Sequence, residues 1–215
     1  MSELTKYNFL PYLRPTPRSE SLKEFVAHLK QRRSVREFSS SPVDRDVLLS
    51  CIEAAGSAPS GANSQPWFFA LIESQEIKDR IREEAEKTER SFYEERASEK
   101  WLEDLRPFGT SDKKPFISEA PALIVVFFRK STDIMRTYYP QESTGIATGM
   151  LLAALHHAGL ATLTHTPNPM GFLNELLEID RNQRAFMIII VGHAKAGTTV
   201  PAIGKKTLSE ISAIY

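Results

Sequence analysis

The seven consecutive apolar residues at 122–128 (ALIVVFF) constrain the fold of this chain more than any other stretch. A strand sends successive side chains to opposite faces. An apolar residue at every position therefore demands cover on both faces, as at the centre of an α/β sheet. Runs at 68–72, 160–166 and 185–191 supply three more strand candidates. Helical periodicity separates them. Leu22, Phe25, Val26 and Leu29 recur at helical spacing behind the capping-box pair Ser21 and Glu24, and Val47, Leu48, Cys51, Ile52 and Ala55 form a second apolar face. The segment 142–158 reads as a long helix rich in small residues, with Gly145, Ala147 and Gly149 allowing close approach and Gly159 as its C-terminal cap. His156 and His157 at its end read as structural. A shorter helix is expected at 171–177. Strands and helices alternate without an internal repeat, which predicts one α+β domain over residues 21–215.

Charge and cysteine usage exclude several functions. Lys plus Arg and Asp plus Glu each number 27, so no excess basicity argues for a nucleic-acid partner. The single Cys51 lies on an apolar helical face and reads as a small core residue. Neither a disulfide nor a cysteine metal site can be built, and no metal is expected. The N-terminus has no apolar signal core and no run of 18 apolar residues occurs, so neither membrane insertion nor export is expected and the location by default is cytoplasmic. Residues 1–18 carry Pro11, Pro15 and Pro17 among Tyr7, Phe9, Leu10 and Tyr12. Such a segment must be extended and ordered by packing, so residues 1–20 are expected to form an arm.

Two clusters suggest a site. Arg32, Arg33 and Arg36 place three guanidinium groups within five residues, suited to bidentate recognition of phosphate. Pro59-Ser60-Gly61-Ala62 then closes a helix with residues that tolerate unusual backbone angles and close ligand approach to main-chain N–H groups. Further on, 13 of the 22 residues at 83–104 are charged, and the Pro- and Gly-containing stretch 106–118 has no period. Together they read as a lid at 83–118. Glu89 and Tyr93 are one helical turn apart, and Lys114 follows 21 residues later across the loop.

The series Arg-Arg-Ser-Val-Arg (32–36) followed by Ala-Pro-Ser-Gly-Ala-Asn-Ser-Gln-Pro-Trp (58–67) resembles the FMN-dependent nitroreductase superfamily. From about 34 to 211 the chain is most similar to its iodotyrosine deiodinase branch. The resemblance implies a nitroreductase-like fold with a central mixed sheet flanked by helices, in an intertwined homodimer with two FMN molecules at the interface and the N-terminal arm packed on the partner. It assigns Arg32, Arg33, Ser34 and Arg36 to the FMN phosphate and ribityl chain, completed by Lys205 where relatives often carry Arg. Pro59, Ser60 and Gly61 would lie against the flavin, with Thr164, His165 and Thr166 beside it. Thr166 would offer its hydroxyl to flavin N5 and favour one-electron chemistry. His165 departs from the Thr common in similar sequences. Glu89 would hold the ammonium of a halotyrosine, Lys114 and Tyr93 its carboxylate, and the Ala62 N–H its phenolate oxygen. The implied reaction is reductive dehalogenation to tyrosine and halide, with electrons from NAD(P)H or an unidentified reductase. The alternative on the same fold is an NAD(P)H-dependent nitroaromatic or quinone reductase.

Overall fold

The computed structural model describes residues 18–132 and 136–215, so the expected N-terminal arm lies outside the described residues as far as residue 17. Contacts divide the chain into two compact units, Met1–Arg32 and Arg33–Tyr215. In the first, helix α1 (Arg18–Gln31) begins ahead of the expected Ser21 start, because nothing after Pro17 interrupts a helix. Leu22, Phe25 and Val26 are exposed on it.

The second unit runs α2 (Arg45–Gly56), β1 (Trp67–Ile72), α3 (Gln75–Ser91), α4 (Glu99–Leu105), α5 (Phe116–Glu119), β2 (Ala122–Arg129), α6 (Pro140–His157), β3 (Ala161–His165), α7 (Phe172–Leu176), β4 (Gln183–Gly192) and α8 (Leu208–Ile211). The four strands form one sheet in the order β1-β2-β4-β3. Every pairing between them is antiparallel; the parallel component is an isolated bridge between Ser34 and Thr162.

The apolar run on β2 is explained by helices on both sides. Leu123, Val125 and Phe127 face one core with Ile81, Ala85, Ile117, Leu173, Ile188 and Ile190. Ala122, Ile124 and Val126 face the other, with Leu48, Cys51, Ala55, Leu151 and Leu155. Each large apolar side chain so enclosed contributes about 1.5–3 kcal/mol. Two-sided burial thus occurs here in an antiparallel sheet, because helices cover both of its faces. Cys51 is buried as expected, and burial pushes its thiol pKa up.

Local signals fix the element ends. The Asp44 carboxylate accepts from the Asp46 N–H at 2.9 Å to start α2. Gly159, at φ 77°, turns the chain out of α6 in the left-handed region. Buried Lys78 on α3 donates to the carbonyls of Ala120 at 2.6 Å and Pro121 at 3.3 Å, tying α3 to the residues just after α5. No helix among the described residues is long and apolar enough to cross a membrane.

Candidate active site

One wall of the site is built on β3. The segment after Arg33 runs beside this edge strand, with the Val35 N–H donating to the Thr162 carbonyl at 3.0 Å. Since Ser34 pairs with Thr162 in parallel, residue 36 falls level with residue 164. Arg36, Thr164 and His165 accordingly line one cavity of about 310 Å³. Arg33 donates to the Pro201 carbonyl, which draws in the C-terminal stretch that continues to Lys205. Neither Arg33 nor Arg36 has a carboxylate partner among the described residues.

The facing wall is the segment expected to form a lid. Helix α3 widens into a single π-helical turn, Phe92–Arg96, before α4. Such turns recur at functional sites. The Glu89 carboxylate and the Lys114 ammonium lie 2.8 Å apart, with side chains 14% and 6% exposed. The Lys114 Nζ also donates to the Ser111 carbonyl at 2.5 Å and stands 5.6 Å from the centre of the Tyr93 ring. The Tyr93 hydroxyl donates to Thr110 Oγ1 at 3.0 Å. Glu89, Tyr93 and Lys114 line a second cavity of about 360 Å³ with Thr164, His165 and Thr166. Both cavities share Thr110, Lys114, Thr164 and His165, so they adjoin.

Glu86 anchors this arrangement. Its Oε1 accepts from the Lys114 N–H and from Arg82 Nε, both at 2.8 Å. Burial works to raise its pKa, but the hydrogen bonds from Lys114 and Arg82 and the nearby cations hold it below the usual carboxylate range. His165 is driven the other way. Burial first, then the Lys114 charge, lowers its pKa to about 3, so its ring is neutral near pH 7. It stands edge-on to Phe116 at 5.9 Å, and its buried Nε2 lacks a hydrogen-bond partner.

The expected lid trio and the Thr164–Thr166 strand end therefore meet, with Arg36 on the adjoining cavity. Arg32, Arg33, Ser34, Pro59, Ser60, Gly61, Ala62 and Lys205 line neither cavity. The turn at 59–65 is nonetheless unusual: Ala62, Asn63 and Gln65 are all left-handed, at φ 49°, 54° and 43°. Non-glycine residues in that region carry strain that clusters at functional sites. Gly61 forms an isolated antiparallel bridge with Tyr138, and a Cβ there would lie 2.8 Å from the Tyr138 side chain and carbonyl. A third groove of about 390 Å³, which shares Asn168 with the lid cavity and is lined by Lys130, Arg181 and Arg184, contains none of the expected site residues.

Sequence reasoning passed over Glu86, Arg96 and Thr110. Glu86 and Arg96 lie three residues before Glu89 and three after Tyr93, a spacing that keeps them near the same helical face. The density of charge around them hid that signal.

A model of the nitroreductase family matches residues 29–193. The chain belongs to the nitroreductase family. Among its relatives in that family, iodotyrosine deiodinase of Haliscomenobacter hydrossis is 43% identical over 217 residues, covering 96% of this chain and 97% of the relative. Iodotyrosine deiodinase 1 of Rattus norvegicus is 39% identical over 194 residues, covering 87% and 68%. A crystal structure of oxidised iodotyrosine deiodinase bound to FMN and 3-iodo-L-tyrosine superimposes with a TM-score of 0.77 at 30% identity, covering 88% of this chain and all of that one.

Proposed function

We propose that this nitroreductase-family chain is an FMN-dependent oxidoreductase that removes halogen from halotyrosines such as 3-iodotyrosine, yielding tyrosine and halide. The observation that carries the reading is the Glu89–Lys114 pair on the wall of the Thr166 cavity. An enclosed pair of opposite charges beside a cavity suits a ligand with both an ammonium and a carboxylate. The zwitterion exchanges one internal ion pair for two external ones, Glu89 to ammonium and Lys114 to carboxylate. Tyr93, now bound to Thr110, can turn its hydroxyl to the same carboxylate. A reductase of assorted flat aromatics has no use for that arrangement.

The residues present fit FMN. Arg33 and Arg36 carry uncompensated charge suited to a phosphate, with Arg32, Ser34 and Lys205 as further ligands of the phosphate and ribityl chain. The buried, unpartnered Nε2 of His165 lies on the same wall as Thr164 and Thr166. FMN, when bound, supplies the two electrons that, with a proton, replace the carbon–halogen bond by carbon–hydrogen. Thr166 would hold the flavin ring through its hydroxyl, the lid would exclude water, and the Ala62 N–H would hold the phenolate oxygen.

The 59–62 turn lines neither cavity, and in this reading it would reach the flavin from a second copy. A homodimer is further supported by exposed Leu49, Phe68 and Ile146, and by the exposed apolar residues of α1 and α8. Residues 1–20 would pack on the partner, and the electrons would come from NAD(P)H or a separate reductase.

The reading is tested by reducing the holoprotein anaerobically and adding 3-iodotyrosine. Flavin reoxidation with stoichiometric tyrosine and iodide is expected. Reoxidation by a nitroaromatic with no tyrosine from iodotyrosine would overturn it in favour of a nitro or quinone reductase.

A further inference from the structure

We infer that Arg96 is a positioning residue that latches the lid onto the loop following Thr166. The inference rests on the proposed halotyrosine site and extends it. Arg96 ends the π-helical turn. Its Nη1 donates to the Asn168 carbonyl at 2.7 Å, and its Nη2 donates to the Thr88 carbonyl at 2.8 Å. Thr88 belongs to α3, one residue before Glu89, whereas Asn168 lies two residues beyond Thr166. One guanidinium therefore clips the helix carrying the ammonium-binding carboxylate to the strand end carrying Thr166.

The geometry is specific to arginine. Two N–H groups on different nitrogens of a rigid planar fork reach one carbonyl 8 residues before Arg96 and another 72 residues after it. A lysine offers a point charge that can satisfy one carbonyl at a time. The guanidinium also stands 6.0 Å from the centre of the Phe92 ring, while Phe92 packs edge-on against Trp101 at 4.8 Å. No carboxylate among the described residues pairs with Arg96 and diverts it, although five acidic residues stand within the lid at 94–104. Arg96 lines the cavity together with Glu89, Tyr93 and Lys114. Its loss leaves the lid tethered to its own loop through Lys114 and Thr110, but no longer to the catalytic strand by this clip.

The consequence is selective. Ligands that depend on the lid should suffer when the clip is cut, whereas ligands held by the strand wall alone should not. The experiment titrates oxidised holoprotein with 3-iodotyrosine and with 2-iodophenol, following flavin absorbance, for wild type, Arg96→Ala and Arg96→Lys. Flavin content and melting temperature of each variant are measured alongside.

Arg96→Ala should bind iodotyrosine about tenfold more weakly, the loss expected of charge-assisted hydrogen bonds made at an exposed position. Its affinity for iodophenol should stay within about twofold, Arg96→Lys should recover little, and millimolar guanidinium should partly restore the Ala variant while methylammonium does not. Equal weakening of both ligands, full recovery by lysine, or wild-type affinity in Arg96→Ala would each overturn the latch. Failure of the wild type itself to prefer iodotyrosine would instead overturn the halotyrosine reading on which the latch rests.

Discussion

The two walls of the site are held in place by different forces. On the strand wall, Thr164 and His165 belong to β3, which pairs with β4 from Ala161 to His165 and has Leu163 in the buried core. On the lid wall, Glu89 is carried near the end of α3, and the Glu89, Tyr93 and Lys114 side chains are set by an ion pair, a hydroxyl bond to Thr110 and the Glu86 anchor on the Lys114 N–H. Backbone ladders over an apolar core open at a higher free-energy cost, whereas side-chain contacts can exchange partners one at a time. The wall proposed to receive the cofactor is thus the more firmly held one, and the wall proposed to grip substrate is the one able to rearrange.

The largest expected effect breaks the strand wall from behind. Phe127 is fully buried in the core that contains Leu163. Phe127→Ala should cost about 3–5 kcal/mol of stability and take flavin binding with it, as read by denaturant unfolding. Substitutions in the lid should alter binding far more than unfolding.

The next effect separates the walls by ligand. Glu89→Gln and Lys114→Ala should each weaken 3-iodotyrosine by about 10- to 150-fold, since a lost charge-assisted contact is worth about 1.5–3 kcal/mol. Iodophenol should be much less affected. Because the two side chains pair with each other before substrate arrives, the double variant should lose less than the sum of the two single losses. Strict additivity in a titration of all four proteins would show that the pair is not exchanged on binding.

Arg36→Ala tests the strand wall without disturbing its fold. Loss of one phosphate contact should weaken FMN by about tenfold, measured as flavin retained per chain after gel filtration. Iodotyrosine affinity of the fraction still loaded should be unchanged.

The smallest effect is a pH dependence. His165 takes a proton near pH 6.5 when unfolded but only near pH 3 when folded, so the stability tied to its neutral form is complete above about pH 6.5. That stability falls as the pH drops through this window, by at most about 1.4 kcal/mol per unit. Glu86, with its depressed pKa, adds to the loss only below its ordinary value of 4.5. His165→Asn should flatten the melting-temperature profile between pH 6 and 5, where the two contributions do not overlap.

The difference between the walls also decided what the sequence disclosed. Four strand candidates in the sequence match the four strands, most clearly at β2, where two-sided burial leaves an unbroken apolar run. Their antiparallel pairing was not legible, since hydrophobic runs carry no direction. Arg36 and Thr166, picked out through the family resemblance, line the two adjoining cavities. Glu86 and Arg96 could not be picked out, because their roles depend on contacts 28 and 72 residues away, and in a charge-dense helix every carboxylate and guanidinium looks alike. The turn at 59–62 was foreseeable as a place of unusual backbone angles, but nothing local marked Ala62, Asn63 and Gln65 as the residues that carry them.

The exchange of the Glu89–Lys114 pair for the two charges of a zwitterion is tested most directly by trimming those charges from the ligand. Oxidised holoprotein is titrated with 3-iodotyrosine, with 3-iodotyramine, which lacks the carboxylate, and with N-acetyl-3-iodotyrosine, which lacks the ammonium. Both trimmed ligands should bind at least about tenfold more weakly than 3-iodotyrosine, since each leaves one enclosed charge unpaired. Equal affinity for all three would contradict the account, because the pair would then be a fixed part of the lid with no part in recognising substrate.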